Sequence, residues 1–477
     1  MQDCVYAAAD ADAADTLGVV MRGLCAAVLA VCGAAFCAFG QTLVVTPIQV
    51  MMDEPVSIRV TGLQPGQHVT LRADLVDGED QSWAAEAEFA ADAGGTVDAA
   101  RQAPLKGSYR SVSAMGLVWA MMPAAKKVHI YQPPRQLGPQ RIKFHLLIDG
   151  RETGSADLEQ LAVAPGVHAV NLEGKLTGRL FVPPGAGPHA GVLVLGGSEG
   201  GMPIRRAAWL ASHGYVALAL CYFRCQGRSD TLLRIPLEYF QQALGWLIER
   251  PEVDPQRLGV MGVSRGGELA LQLGSMFPAL KAVVAYVPAN VRYPACCGYP
   301  GLMPAWTWGG RDLTYAPPRL RDRSMEMDAA IHVESTHGPI LMIGGTDDAV
   351  WPSAEMVETA AARLRSAHFR YPVIALVYPH AGHLAGQPEI VPAWNRGGRN
   401  PASGETFDYG GTPQGNAEST LDAIPKVLEF LNNALGRQGL RIGYGHRSQV
   451  PKGEGPGAPA NSLVQSTGAG RGSQPLQ

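Results

Sequence analysis

The sequence is short of charge. Only 17% of its 477 residues are Asp, Glu, Lys or Arg, and the formal net charge is −3. Nucleic-acid binding rests on clustered Lys and Arg that neutralise phosphates, and no basic excess supplies them. Metal-ligand patterns are missing too. Eight cysteines are present, but "CYFRC" (221–225) is not a C-x-x-C. The two histidines of "HVESTH" (332–337) stand five apart, not at the i, i+4 spacing of a zinc-binding H-E-x-x-H helix. No metal and no cofactor is expected. The glycine-rich "LGGSEGG" (195–201) is followed by no G-K-[ST] and lacks the G-x-G-x-x-G spacing, which removes a phosphate-cradling loop. No internal repeat is present.

What remains is a globular composition, 46% hydrophobic with 57 glycines and 36 prolines. One core rarely serves beyond roughly 250–300 residues, so the length calls for two or three domains. Residues 1–40 stand apart as an N-terminal extension. After an Ala/Asp-rich start, "MRGLCAAVLAVCGAAFCAFGQ" (21–41) offers the positive Met21-Arg22, an apolar run to Phe39, and the small residues Ala38 and Gly40. This pattern predicts a secretory signal with cleavage near Gly40–Gln41 and an exported, periplasmic or secreted product. The competing reading is an uncleaved membrane anchor, since from Gly18 about twenty residues are apolar apart from Arg22. Membrane contact is expected only through that segment, if it is uncleaved. Val31 and Phe36 spoil the two lipoprotein-like boxes around Cys32 and Cys37. Cleavage would leave Cys221, Cys225, Cys296 and Cys297, whose pairing the sequence leaves open.

From 43 to 165, short segments such as "VSIRVTGL", "HVTLRADLV" and "RIKFHLLIDG" partly alternate apolar with polar between Gly/Pro/Asp turns. That rhythm predicts an antiparallel β-sandwich. "PGVHAVNLEGKLTGRLFVPPGAGP" (165–188) reads as a hairpin opening a second domain over 166–436. There, apolar strands ("AGVLVLGG", "YVALALCYF", "RLGVMGVS", "KAVVAYVPA", "PILMIGG", "VIALVYPHAG") alternate with helices ("IRRAAWLASHG", "LEYFQQALGWLIERP", "RGGELALQLGSMFP"). Continuous apolar strands separated by helices mean a mostly parallel sheet covered on both faces. A closing amphipathic helix, "AESTLDAIPKVLEFLNNAL", precedes a Gly/Pro/Ser-rich tail over 437–477 that is expected to be disordered.

"GVSRG" places Ser264 between an apolar strand and a helix, the position of a nucleophile elbow. Side chains at Gly262 and Gly266 would collide where strand and helix close together. A serine hydroxyl needs a base and an orienting acid to become a nucleophile. Each follows a later strand, in the order serine, acid, histidine. "GGTDDAVWP" supplies Asp347 and Asp348; "YPHAGH" supplies His380 and His383. Asp348 fits G-x-x-D-x-V-x-P counted from Gly345 and is favoured over Asp347. His383, further into its loop, is favoured over His380. An oxyanion would be held by the Arg265 backbone N–H and by a second N–H from the 195–201 loop, Ser198 first and Gly197 next.

The segments "APLKGSYRSVSAMGLVWAMMP", "APGVHAVNLEGKLTGRLFVPP", "PLEYFQQALGWLIERPEV", "GVMGVSRGGELAL", "IGGTDDAVW" and "YPHAGH" occur in this order. Together they resemble the family of acyl-CoA thioesterases and bile acid-CoA:amino acid N-acyltransferases, over about residues 43–436. The resemblance implies an α/β hydrolase preceded by an all-β, immunoglobulin-like sandwich, with Ser264 as nucleophile, Asp348 as acid and His383 as base. The amino-acid-conjugating branch carries Cys at the nucleophile. Ser264 therefore implies hydrolysis of a small-molecule acyl thioester or ester, above all acyl-CoA. Residues 291–335 are expected to cover the site, with Trp and Tyr residues that either line an acyl pocket or pack the lid. Arg311, Arg319, Arg321 and Arg323 there are candidates for the CoA phosphates, against a solvated basic face. Two alternatives stand beside this reading: an exported carboxylesterase on the same machinery, and a non-catalytic exported binding protein. Against the latter, a binding role would not require Ser264, Asp348, His383 and both glycines together.

Overall fold

The computed structural model describes residues 40–297, 302–317 and 323–436. The expectations for the signal segment, the tail, Arg319 and Arg321 fall on residues outside these.

The N-terminal part is built from two sheets. Thr42–Thr46, Ser57–Thr61 and Val97–Asp98 form a three-stranded sheet. The larger sheet runs in the order Gln49–Met51, Arg151–Leu161, Gln140–Ile148, His68–Val76, Ser82–Ala90, Lys106–Gly107. Its neighbours are antiparallel except at the first pair. Residues two apart on a strand share a face, and the sequence obeys this strictly: Val69, Leu71, Ala73 and Leu75 are buried on one strand, Trp83, Ala85, Ala87 and Phe89 on the next. These side chains fill one core with Ile58, Val60 and Phe144. The "MGLVWAMMP" segment turns through the short helix Gly116–Trp119 and adds Leu117 and Val118 to the same core.

The main sheet of the C-terminal part has eight strands: β1 (His168–Asn171), β2 (Gly178–Val182), β3 (His189–Leu195), β4 (Val216–Leu220), β5 (Val253–Val263), β6 (Leu280–Tyr286), β7 (Ile340–Gly345) and β8 (Val373–Tyr378). The order is β1-β2-β4-β3-β5-β6-β7-β8. β1 and β2 form an antiparallel hairpin, and from β4 onward neighbours are parallel. Helices α1 (Ile204–Ser212), α2 (Glu238–Ile248), α3 (Arg265–Met276), α4 (Ser353–Ser366) and α5 (Pro413–Leu435) cover it. Leu244 and Leu247 of α2, Leu269 and Leu273 of α3 and Val357 and Leu364 of α4 share one core with Leu193, Leu218 and Val260. Trp209 of α1 and Val427 and Leu431 of α5 share another with Val192, Ala217, Met261 and Val284. Consecutive strand residues thus feed opposite faces. α4 is the one long helix that the sequence reading leaves unassigned; its buried stripe is Val357, Ala360, Ala361 and Leu364, two of them alanines that signal burial weakly.

The strand order reverses at β3. The chain leaves β3 toward β4 on one side and returns to β5 on the other, so a crevice opens at the carboxyl ends of β3 and β5, where open α/β sheets bind ligands.

The two parts are joined through buried polar contacts. Asp53 Oδ2 accepts hydrogen bonds from Trp209 Nε1 (2.8 Å) and His213 Nε2 (2.7 Å), and Ala417 and Ile424 of α5 enter the sandwich core. A buried donor left without a partner costs about 1–3 kcal/mol. Asp53→Ala strands two donors and is expected to lower the unfolding free energy by about 2–4 kcal/mol, read from the shift of the urea midpoint.

Candidate active site

The turn from β5 into α3 carries Ser264 at φ 56°, ψ −120°, a backbone geometry that non-glycine residues rarely adopt. It is held there by its own N–H, which donates to the Tyr286 carbonyl of β6 (2.9 Å), and by its carbonyl, which accepts from Glu268 N (3.0 Å). The flanking glycines are required sterically. A Cβ on Gly262 would strike the Gly266 carbonyl, and one on Gly266 would strike the Gly196 carbonyl of the loop after β3. The glycines thus let three backbones meet at one point, with the hydroxyl of Ser264 at the end of the sheet.

The loop after β7 supplies Asp348, whose side chain is 0% exposed. Its Oδ1 accepts from the N–H groups of Val350 (2.9 Å) and Trp351 (3.3 Å), and its Oδ2 is 2.8 Å from His383 Nδ1. The loop after β8 supplies His383. Its Nε2 is 2.9 Å from Ser264 Oγ. The imidazole is wedged between Trp351, edge-on at 5.2 Å, and Tyr409, stacked at 6.3 Å, and the backbone N–H of His383 donates to the Tyr409 carbonyl. The three residues of the expected chain are thus brought into one hydrogen-bonded series. The rejected pair lies outside it: Asp347 Oδ2 is 3.4 Å from His380 Nδ1, and both residues are exposed.

The loop after β3 runs past the serine. Gly197 abuts it, with the position of a Cβ there only 3.2 Å from Ser264 Cβ. The Gly197 N–H is already engaged by Glu199 Oε1 at 2.9 Å. The Ser198 N–H has no acceptor among the described residues. Arg265 opens α3, and first-turn N–H groups have no intrahelical acceptor; its backbone N–H therefore faces outward beside Ser264. Its side chain is buried beneath. The guanidinium pairs with Glu268 (2.8 Å) and donates to the Tyr293 and Pro294 carbonyls. Burial holds the Glu268 carboxyl above the ordinary carboxylate range, although Arg265 and the Trp306 N–H pull the other way.

Residues 291–335 do something other than line the site. Trp306 is buried and donates to Glu268 Oε1 (2.8 Å), Trp308 packs on Phe277, and Tyr293 packs on Trp351. No described residue of this segment borders the cavity of about 600 Å³ that opens over Ser264 and His383. Trp306, Trp308 and Tyr293 are therefore packing residues rather than cavity lining. Arg311 lies on the exposed strand Arg311–Asp312, away from the cavity. The walls come instead from the sandwich loop around Ile130, Tyr131 and Leu137, from α1, and from the long stretch between His383 and Tyr409. Two arginines of α1 border it. Arg205 pairs with Glu389 (2.9 Å), and Arg206 donates to Gln387 (2.7 Å) and lies over the Tyr286 ring at 4.4 Å. Sequence reasoning misses these residues, as well as Asn400 and Tyr409. They carry no local motif and reach the site only by long-range folding.

Cys221 pairs with Cys225, and Cys296 with Cys297. Among the described residues no group of three or more His, Cys, Asp or Glu could hold a metal, and no helix is long and apolar enough to cross a membrane.

The strand order, the elbow at Ser264 and helices on both faces define an α/β hydrolase. The comparisons narrow this. The profile of the acyl-CoA thioester hydrolase/BAAT N-terminal region matches residues 53–174, and that of the BAAT/acyl-CoA thioester hydrolase C terminus matches 235–301 and 307–437. Acyl-coenzyme A thioesterase 6 of Mus musculus is 34% identical over 405 residues, covering 80% of this chain and 94% of its own. Acyl-coenzyme A thioesterase 1 of Rattus norvegicus is 32% identical over 400 residues with the same coverage. A solved structure, a dienelactone hydrolase-like promiscuous phosphotriesterase from metagenomic libraries, covers 57% of this chain and 100% of its own at 19% identity and a TM-score of 0.38; the fold assignment rests on the strand order instead. The chain belongs to the acyl-CoA thioester hydrolase/bile acid-CoA:amino acid N-acyltransferase family.

Proposed function

We propose that the protein hydrolyses acyl-CoA thioesters through a serine acyl-enzyme. One observation carries the reading: His383 bridges Ser264 Oγ and the buried Asp348 carboxylate with bonds of 2.9 and 2.8 Å. His383 Nε2 takes the hydroxyl proton as Ser264 Oγ attacks the thioester carbon. Asp348 keeps the other ring proton on Nδ1 and stabilises the imidazolium. The Arg265 and Ser198 N–H groups receive the oxyanion. Collapse breaks the C–S bond, and the imidazolium protonates the departing CoA thiolate. Water, deprotonated by His383, then attacks the acyl-serine; the imidazolium returns the proton to Oγ as the carboxylic acid leaves.

The family relatives named as acyl-coenzyme A thioesterases support the thioester over other acyl compounds. The signal-like segment before Gln41 favours a second reading, an exported carboxylesterase, since acyl-CoA is scarce outside the cytoplasm. Comparing kcat/KM on acyl-CoA thioesters and on simple oxygen esters of the same acyl chains separates the two. We expect a preference for the thioesters of at least about a hundredfold, of the order that a positioned leaving-group site supplies. Equal or better ester hydrolysis would overturn the CoA reading and leave the triad chemistry standing.

A further inference from the structure

The cavity contains a polar pair from two distant parts of the chain. Asn400 lies in a tight loop, between the short strands Gly398–Arg399 and Thr406–Phe407, and is 4% exposed. Its backbone is pinned within the loop: its N–H donates to the Glu405 carbonyl (2.7 Å) and its carbonyl accepts from Gly404 N (2.8 Å). Its side-chain oxygen is identified by two donors, the N–H groups of Ala402 (2.8 Å) and Ser403 (3.0 Å). An amide whose oxygen is so engaged cannot flip without stranding both donors. The amide nitrogen therefore faces the other way, and it donates to Ser198 Oγ at 3.0 Å.

That direction fixes what the Ser198 hydroxyl does. Its oxygen accepts from Asn400, which can only donate there, so its own proton must go elsewhere. No acceptor for it exists among the described residues. Ser198 and Asn400 both border the cavity that holds Ser264 and His383, and Ser198 follows the glycine that abuts the nucleophile. We propose that the Ser198 hydroxyl is a further donor to the oxyanion, beside the backbone N–H groups, and that Asn400 is the positioning residue that turns its proton toward the substrate carbonyl. This rests on the serine mechanism proposed above. The loop bearing Asn400 lies 202 residues from Ser198, so the oxyanion site is completed by chain that arrives after the base.

The test uses Ser198→Ala, Asn400→Ala, Asn400→Asp and the double variant Ser198→Ala/Asn400→Asp, with kcat and KM measured on one acyl-CoA and thermal unfolding followed in parallel. Removing one oxyanion donor lowers kcat by about 10²–10³-fold in other enzymes. For a hydroxyl supplementing two N–H groups, we expect Ser198→Ala to lower kcat by about 10–100-fold and to leave KM within about threefold. Asn400→Asp is the discriminating variant. The carboxylate keeps the turn, because one oxygen still accepts from Ala402 and Ser403, but its other oxygen draws the Ser198 proton away from the substrate. It is expected to lower kcat more than Asn400→Ala does, and to add little in the Ser198→Ala background. A purely structural Asn400 gives the opposite order, with the near-isosteric Asp milder than Ala, and that result overturns the proposal. So does a Ser198→Ala variant that changes KM alone. Ser264→Ala run beside them separates the two levels: hydrolysis retained there removes the underlying serine mechanism, whereas hydrolysis lost there with Asn400→Asp milder removes only this inference.

Discussion

Ser264→Ala is expected to lower kcat for thioester hydrolysis by about 10⁴–10⁶-fold, the range found when a triad nucleophile is removed from other hydrolases, while thermal unfolding shifts by no more than about 2 °C. The reason lies in how the elbow is held. The positive φ of Ser264 is sustained by its N–H to Tyr286, its carbonyl to Glu268, and the bare Cα atoms of Gly262 and Gly266. None of these involves Oγ. Alanine keeps the Cβ and meets the same backbone constraint, so the variant loses the attacking oxygen and little else. Single-turnover release of the thiol, followed with a thiol reagent, measures the loss. A fall of less than about tenfold would mean that water attacks the thioester directly and would sink the acyl-enzyme.

Asp348→Asn is expected to cost about 10⁴-fold in kcat, with KM little changed. Asp348 Oδ1 accepts from two backbone N–H groups and Oδ2 faces His383 Nδ1. In an asparagine the oxygen must stay with the two N–H donors, so the amide nitrogen faces His383. Two donors cannot face each other. The imidazole proton then moves to Nε2, and the nitrogen that should take the Ser264 proton is no longer a base. Asp347→Asn and His380→Ala, measured alongside, are expected to change kcat/KM by less than about threefold, since an exposed pair of this kind contributes little. A large effect at Asp347 would reassign the acid.

Much of this molecule is legible along the chain. The alternation in His68–Val76 places a strand to the residue, because period-2 burial leaves no other register. The uninterrupted apolar runs of β3 and β4 announce strands covered on both faces. Ser264, Asp348 and His383 are also local features, since each stands where a strand of a parallel sheet must end. The expected cover over residues 291–335 illustrates the opposite case. Nothing in that stretch says which way it folds, and its tryptophans are as suited to the core behind α3 as to a pocket. Trp306 takes the core because Glu268, buried beside Arg265, needs a donor there.

By itself, then, the sequence determined the two architectures, the strand order's chemistry-bearing ends and the three residues of the hydrogen-bonded series, because all of these follow from periodicity and from backbone constraints only a few residues long. The tertiary structure alone decided which surfaces close the cavity. Ile130 from the sandwich, Arg206 from α1 and Asn400 from the loop after His383 border it together, though they stand far apart in the chain. A side chain's partner across such distances depends on how whole elements pack, and no local pattern encodes it.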